Sequence, residues 1–182
     1  MGGWGAVLRG WAVVRKGLGE EGIQEIHQGL EAWRAAGAQV AQPWMLTLLS
    51  DSYRRLGRTG EGLSVVAEAL AAVEMTGERQ YEAELYRLKG ELLLPSWRVS
   101  RNQDESATPE AESCFLEAIE IARRQQAKSL ELRSSTSLSR LWQQRGKKQQ
   151  ARRLLAEIYG WFTEGFDTSD LKQAKALLED LD

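Results

Sequence analysis

The chain has 182 residues, 42% of them apolar and 27% charged, and its 24 Lys/Arg against 26 Asp/Glu leave a formal charge of −2. That balance excludes disordered and fibrous classes. It also excludes a membrane span, because the first apolar candidate, Trp4 to Val14, is broken by Gly5, Arg9 and Gly10.

The opening residues show no basic leader with a cleavable apolar segment. Cys114 is the only cysteine, so no internal disulfide can form and a reducing cytoplasm is the expected compartment. Prolines occur only at 43, 95 and 109, and the stretches between them are rich in Ala, Leu, Glu, Arg and Gln, the strong helix formers. Alternating β-branched runs are absent, which predicts an all-α fold.

In chain order, the first helical hairpin is expected at about 4–37. A shift of 40 residues superimposes a second at 42–77: Gly10 falls on Ser50, Gly17 on Gly57, Gly22 on Gly62 and Leu30 on Leu70. A third hairpin spans 78–127 and carries an inserted loop at 96–108. Its second helix resumes at Thr108, with the hydroxyl as cap and Pro109 in the first turn. A shift of 49 then yields a fourth hairpin at 128–160. The segment 168–181, whose Asp167-Thr168-Ser169 start is of the helix-capping type, is expected to cap the array, with Trp161, Phe162 and Phe166 plugging the last hairpin.

Each hairpin needs small residues where its helices cross. Gly10, Ser50, Gly90 and Ser139 supply them in the first helices, and Gly22, Gly62, Ala111 and Ala151 in the second. Gly17, Gly57 and Gly146 suit the left-handed position that ends a helix.

This pattern resembles the tetratricopeptide repeat, a helix-turn-helix unit of about 34 residues. Leu46, Leu49, Ser50, Tyr53, Gly57, Gly62, Val66 and Ala69 fall at its spacing. The implied fold is a right-handed superhelix of about four hairpins plus a C-terminal capping helix, nine helices in one helical-repeat domain over 1–182. Three longer phrases, GERQYEAELYRLKGELLL, AESCFLEAIEIARRQQAKSLELRSSTSLSRLWQQRGKKQQA and IYGWFTEGFDTSDLKQAKALLEDL, resemble the C-terminal repeat region of bacterial predicted ATPases that often carry adenylate or guanylate cyclase domains. What that implies is a regulatory or sensor appendage, without the enzymes themselves.

Motifs for chemistry are missing. Gly146-Lys147 lacks the remainder of a phosphate loop, and Gly3-Trp4-Gly5 meets Leu8 where a dinucleotide fingerprint needs its third glycine. Nucleophilic catalysis needs a base beside Ser or Cys, and the only histidine, His27, lies in the second helix, where it reads as a surface or partly buried structural residue. Cys114 beside Phe115 reads as a packing residue. No catalytic, cofactor or metal site is expected, and the chain is read as a non-enzyme.

The stretch from Arg123 to Arg153 holds ten Lys/Arg and one acid, Glu131, so it carries +9 while the remainder carries −11. Its helix-end and turn cations (Arg123, Arg124, Lys128, Arg145, Lys147, Lys148, Arg152, Arg153) are expected to be mostly solvated. Arg133 and Arg140 are seven residues apart on a first helix, and first helices of such repeats line the concave groove. The groove-facing set is therefore Trp4 and Trp11, then Trp44, Thr47, Asp51 and Arg54, then Arg87 and Glu91, then Arg133, Thr136 and Arg140. An aromatic end and an arginine end suit a protein or peptide partner, especially an acidic one. Against this, Trp4 and Trp44 could simply pack beneath a neighbouring hairpin. Two alternatives remain: self-association as a homodimer through terminal repeats, and nucleic-acid binding through the basic stretch. The expected role is a cytoplasmic protein-interaction module or scaffold.

Overall fold

The computed structural model describes residues 2–38, 40–94 and 107–182, with the backbone alone at 107 and 108. The expected 96–108 loop and the Thr108 hydroxyl cap lie outside the described residues and side chains. Among the described residues there are nine helices and no strand: α1 Gly3–Arg15, α2 Gly19–Ala35, α3 Gln42–Arg55, α4 Thr59–Thr76, α5 Glu82–Leu93, α6 Ala107–Arg124, α7 Lys128–Gln144, α8 Lys148–Tyr159 and α9 Ser169–Leu181. Helix α6 begins at Ala107, one residue before the expected start. No described helix is long and apolar enough to cross a membrane.

The hairpin turns follow from glycine geometry. Gly17, Gly57 and Gly146 have φ of 95°, 71° and 73°. At each, the next residue donates back five positions: Leu18 N to Val13 O (3.3 Å), Arg58 N to Tyr53 O (3.0 Å) and Lys147 N to Trp142 O (2.8 Å). These bonds satisfy carbonyls that the ended helix leaves open. The α6–α7 turn uses the same bond, Ala127 N to Ala122 O (2.9 Å), around Gln126 at φ 56°.

Helix crossings follow from side-chain size. A Cβ on Gly10 would lie 2.6 Å from the Gly22 carbonyl oxygen, and one on Gly22 would lie 2.5 Å from that of Gly10. Gly3 and Gly29 form a second close approach between the same helices, so α1 and α2 pack backbone to backbone along much of their length. Serine takes this position in two later hairpins, where its hydroxyl donates across the crossing: Ser50 to Gly62 O (3.4 Å) and Ser139 to Ala151 O (3.1 Å). Gly90 makes room for the Phe115 ring, its missing Cβ lying 2.6 Å from the ring edge.

Packing then propagates along the chain. Val7, Ile26, Leu30, Met45, Leu46 and Leu49 fill the first core cluster; Val66, Leu88 and Leu92 join α4 to α5; Phe115, Ile119 and Leu138 join α6 to α7. Leu171, Ala174, Leu177 and Leu181 of α9 are buried against Leu155 and Ile158 of α8 and Leu132 of α7. The inner helices also touch in succession, α1 on α3, α3 on α5, α5 on α7 and α7 on α9.

Two expectations at this end are corrected. Trp161 and Phe166 are 58% and 46% exposed, so of the three connecting aromatics only Phe162 packs on the core. Thr168 precedes α9 in extended geometry, but its hydroxyl donates to Gly165 O (2.7 Å) and makes no bond into the helix.

Candidate functional site

The inner helices enclose a cavity of about 490 Å3. Ten of the eleven sequence-predicted groove residues line it: Trp11, Trp44, Thr47, Asp51, Arg54, Arg87, Glu91, Arg133, Thr136 and Arg140. Trp4 does not. It stacks on Trp44 with ring centroids 4.5 Å apart and 20° between planes, and meets Trp33 at 6.0 Å, so it backs Trp44 from outside the cavity.

A solenoid brings equivalent positions of successive repeats together, and the wall reads as rows of them. In one row Trp4 stacks on Trp44, while further along Arg133 contacts Glu84 (3.4 Å) and Asp170 (2.7 Å). In another, the Trp11 indole N–H donates to Asp51 (3.2 Å). Between the rows, Thr47 and Thr136 are buried, and their hydroxyls are used within their own helices, donating to Pro43 O (2.8 Å) and Leu132 O (2.7 Å).

The charged residues form one alternating chain. Arg55 pairs with Asp51 (2.8 Å), Asp51 with Arg54 (2.7 Å), and Arg54 with Glu91 (3.1 Å). Glu91 pairs with Arg87, which grips both oxygens of Glu84 at 2.8 Å; Arg133 then links Glu84 to Asp170. Ser137 adds a hydroxyl to Glu91 (2.9 Å). Every interface between neighbouring inner helices therefore carries a polar tie on its concave side.

Burial decides how firmly each group is held. The Arg87 side chain is only 11% exposed. Burial works against its charge, but Glu84 and Glu91 more than compensate and raise its pKa. Burial would raise the Asp51 carboxyl; the Arg54 and Arg55 guanidiniums outweigh it and hold the pKa at about 2. Glu91 is lowered in the same way, against its burial, chiefly by Arg87 and Arg54. Arg133 is raised, with Glu84 and Asp170 overcoming desolvation.

Sequence reasoning missed Glu84, Arg15 and the α9 residues Ser169, Asp170 and Gln173, all of which line the cavity. Glu84 is the 40-residue equivalent of Trp44, so the repeat shift carried its signal; Arg15 and Arg55 are equivalents of one another, and both escaped the reading because neither was placed on the wall. The α9 residues escape the repeat shift because their helix has the apolar spacing of a cap. Its apolar face does cover the last hairpin, and its polar face also completes the cavity wall.

The helix-end and turn cations of the basic stretch are exposed, as expected, save half-buried Lys128, and most of them face a carboxylate. Among the described residues, seven of the stretch's ten cations lie within 4.0 Å of a carboxylate: Arg123 and Lys128 on Glu131, Arg124 on Glu120, Arg133 on Asp170, Arg145 and Lys147 on Glu112, and Arg152 on Asp182. Glu131 is itself buried; desolvation would raise its pKa, and Arg123 and Lys128 lower it instead. The carboxylates beside these cations lower the local positive potential that a duplex backbone would meet, although exposed pairs are weak ties.

Elsewhere, Cys114 is buried, and burial raises its thiol pKa. His27 lies 2.9 Å from the Tyr53 hydroxyl. Among the described residues no group of three or more metal-ligating side chains converges.

No protein-family model matches the chain, and no curated protein does. Solved structures match over nearly its full length. The nearly identical TPR-like repeats of a putative kinesin light chain from Podosopora anserina align with 97% of this chain and 83% of theirs, at 14% identity and a TM-score of 0.67. A single-substitution variant of the same repeats aligns over the same shares at 13% identity and a TM-score of 0.69. At such identity the likeness concerns the fold, and the fold of this chain is an all-α, tetratricopeptide-like superhelix.

Proposed function

We propose that this chain is a non-catalytic protein-interaction module that receives an extended segment of a partner protein in its concave groove. The observation that carries the reading is a cavity walled by α1, α3, α5, α7 and α9, aromatic at Trp44 and Tyr81 and rich in arginine elsewhere. Such a surface offers apolar area at low entropic cost beside forked donors for carboxylates. Following the resemblance of its long C-terminal phrases, the module serves as a cytoplasmic regulatory appendage of a larger bacterial signalling ATPase or cyclase.

The test is peptide selection from a displayed random library, followed by amide chemical-shift mapping on the whole chain. Perturbations should fall on the cavity-facing residues of the inner helices. Perturbations confined to α2, α4, α6 and α8 would refute the groove.

Self-association has an observation of its own. Helix α1 leaves Trp4 and Leu8 41% and 38% exposed. Sedimentation of the purified chain decides it: a concentration-dependent dimer that a Leu8→Glu change abolishes would favour this reading.

A further inference from the structure

The cavity holds six arginines (Arg15, Arg54, Arg55, Arg87, Arg133, Arg140) and four carboxylates (Asp51, Glu84, Glu91, Asp170). The alternating chain uses four of the arginines and all four carboxylates, which leaves it neutral. The surplus is Arg15 and Arg140. Arg15 stands over the Trp11 ring at 4.7 Å and pairs with no carboxylate among the described residues. Arg140 is bonded to the neutral Gln173 amide (2.9 Å), and its field also reaches Glu91. Both are exposed.

These two cations belong to α1 and α7, separated by three steps along the row of inner helices. At about 8–10 Å per helix-to-helix step the separation is roughly 25–30 Å, somewhat less along a concave wall. An extended segment rising about 3.3 Å per residue covers that span in roughly seven to nine residues.

We propose that the groove selects an extended segment carrying two acidic side chains about eight residues apart, one captured by Arg15 and the other by Arg140. This rests on the groove reading and adds the chemistry and spacing of the occupant. The paired arginines take no direct part, because freeing Arg87 or Arg133 would strand a buried carboxylate. Gln173 holds Arg140 with a neutral acceptor, which an incoming carboxylate exceeds in strength. A single acidic cluster cannot reach both ends, so spacing discriminates among acidic partners.

The probes are nine-residue peptides, acetylated and amidated so that the termini are uncharged, measured by fluorescence anisotropy at low and moderate salt. One has Glu at positions 1 and 9, a second has the two Glu adjacent at its centre, and a third has Lys at 1 and 9. The spaced Glu peptide should bind at least tenfold tighter than the other two. Arg15→Gln and Arg140→Gln should each weaken it about tenfold, with melting unchanged because both side chains are exposed. Equal affinity for the first two peptides, indifference to both substitutions, or no binding of the spaced peptide at millimolar concentration would each overturn the proposal. A library-selected peptide that still maps to the cavity in any of these cases would leave the groove reading standing.

Discussion

Asp51 is a carboxylate taken partly out of water and answered by three donors, the Arg54 and Arg55 guanidiniums and the Trp11 indole. Its pKa, lowered from 3.8 to about 2, makes it a contributor to stability. A depressed acid stabilises the fold at every pH above its unfolded value, and that contribution is lost as pH falls from about 4 through about 2. The shift corresponds to about 2 kcal/mol. Urea midpoints measured from pH 6 down to pH 2 should therefore fall for the wild type. Asp51→Asn should lower the midpoint at pH 6 and flatten the acid limb, while some slope persists because Glu91 is lowered too. An acid limb as steep in Asp51→Asn as in the wild type would show that the pairing contributes nothing.

The helical hairpins were legible because their signals are local and recur at one shift. The glycines at 17, 57 and 146 terminate helices as a chain without a Cβ predicts. Gln126 was not legible in that role, since only the surrounding bonds reveal that it takes the left-handed position. Crossing glycines allow a sharper test, because alanine at a crossing and alanine at an open helical site should have opposite effects. Alanine is the better helix former by about 1 kcal/mol. At Gly60 nothing lies within 4 Å of a new Cβ, so Gly60→Ala should raise stability by up to about 1 kcal/mol. At Gly10 the new atom would meet the Gly22 carbonyl at 2.6 Å and the Ile26 amide nitrogen at 2.9 Å, both backbone. Gly10→Ala should then cost about 1–3 kcal/mol in thermal or urea unfolding, as helices α1 and α2 are forced apart. A gain at both sites would mean that the α1–α2 crossing has room to spare.

Across the whole molecule, the repeat shift predicted which residues share the concave wall but not what they do to one another. By position alone Arg87, Glu91 and Arg133 are free groups for a partner. Instead they are satisfied along four inner helices, because stacked repeats put unlike charges of different units within 3.4 Å. Helix α9 covers the last core and also supplies Asp170 and Gln173 to the wall. The energetics of such an array are nearest-neighbour, so a defect at one end should stay there. Leu171 is 3% exposed in the cluster joining α7, α8 and α9. Truncating it to Ala should cost about 3 kcal/mol locally. Amide hydrogen exchange would then accelerate in α7, α8 and α9, and protection in α1 to α4 would hold. Equal loss of protection at both ends would instead mean that the polar ties of the concave wall couple the repeats into one cooperative unit, and a segment bound at Arg140 would then be sensed as far away as α1.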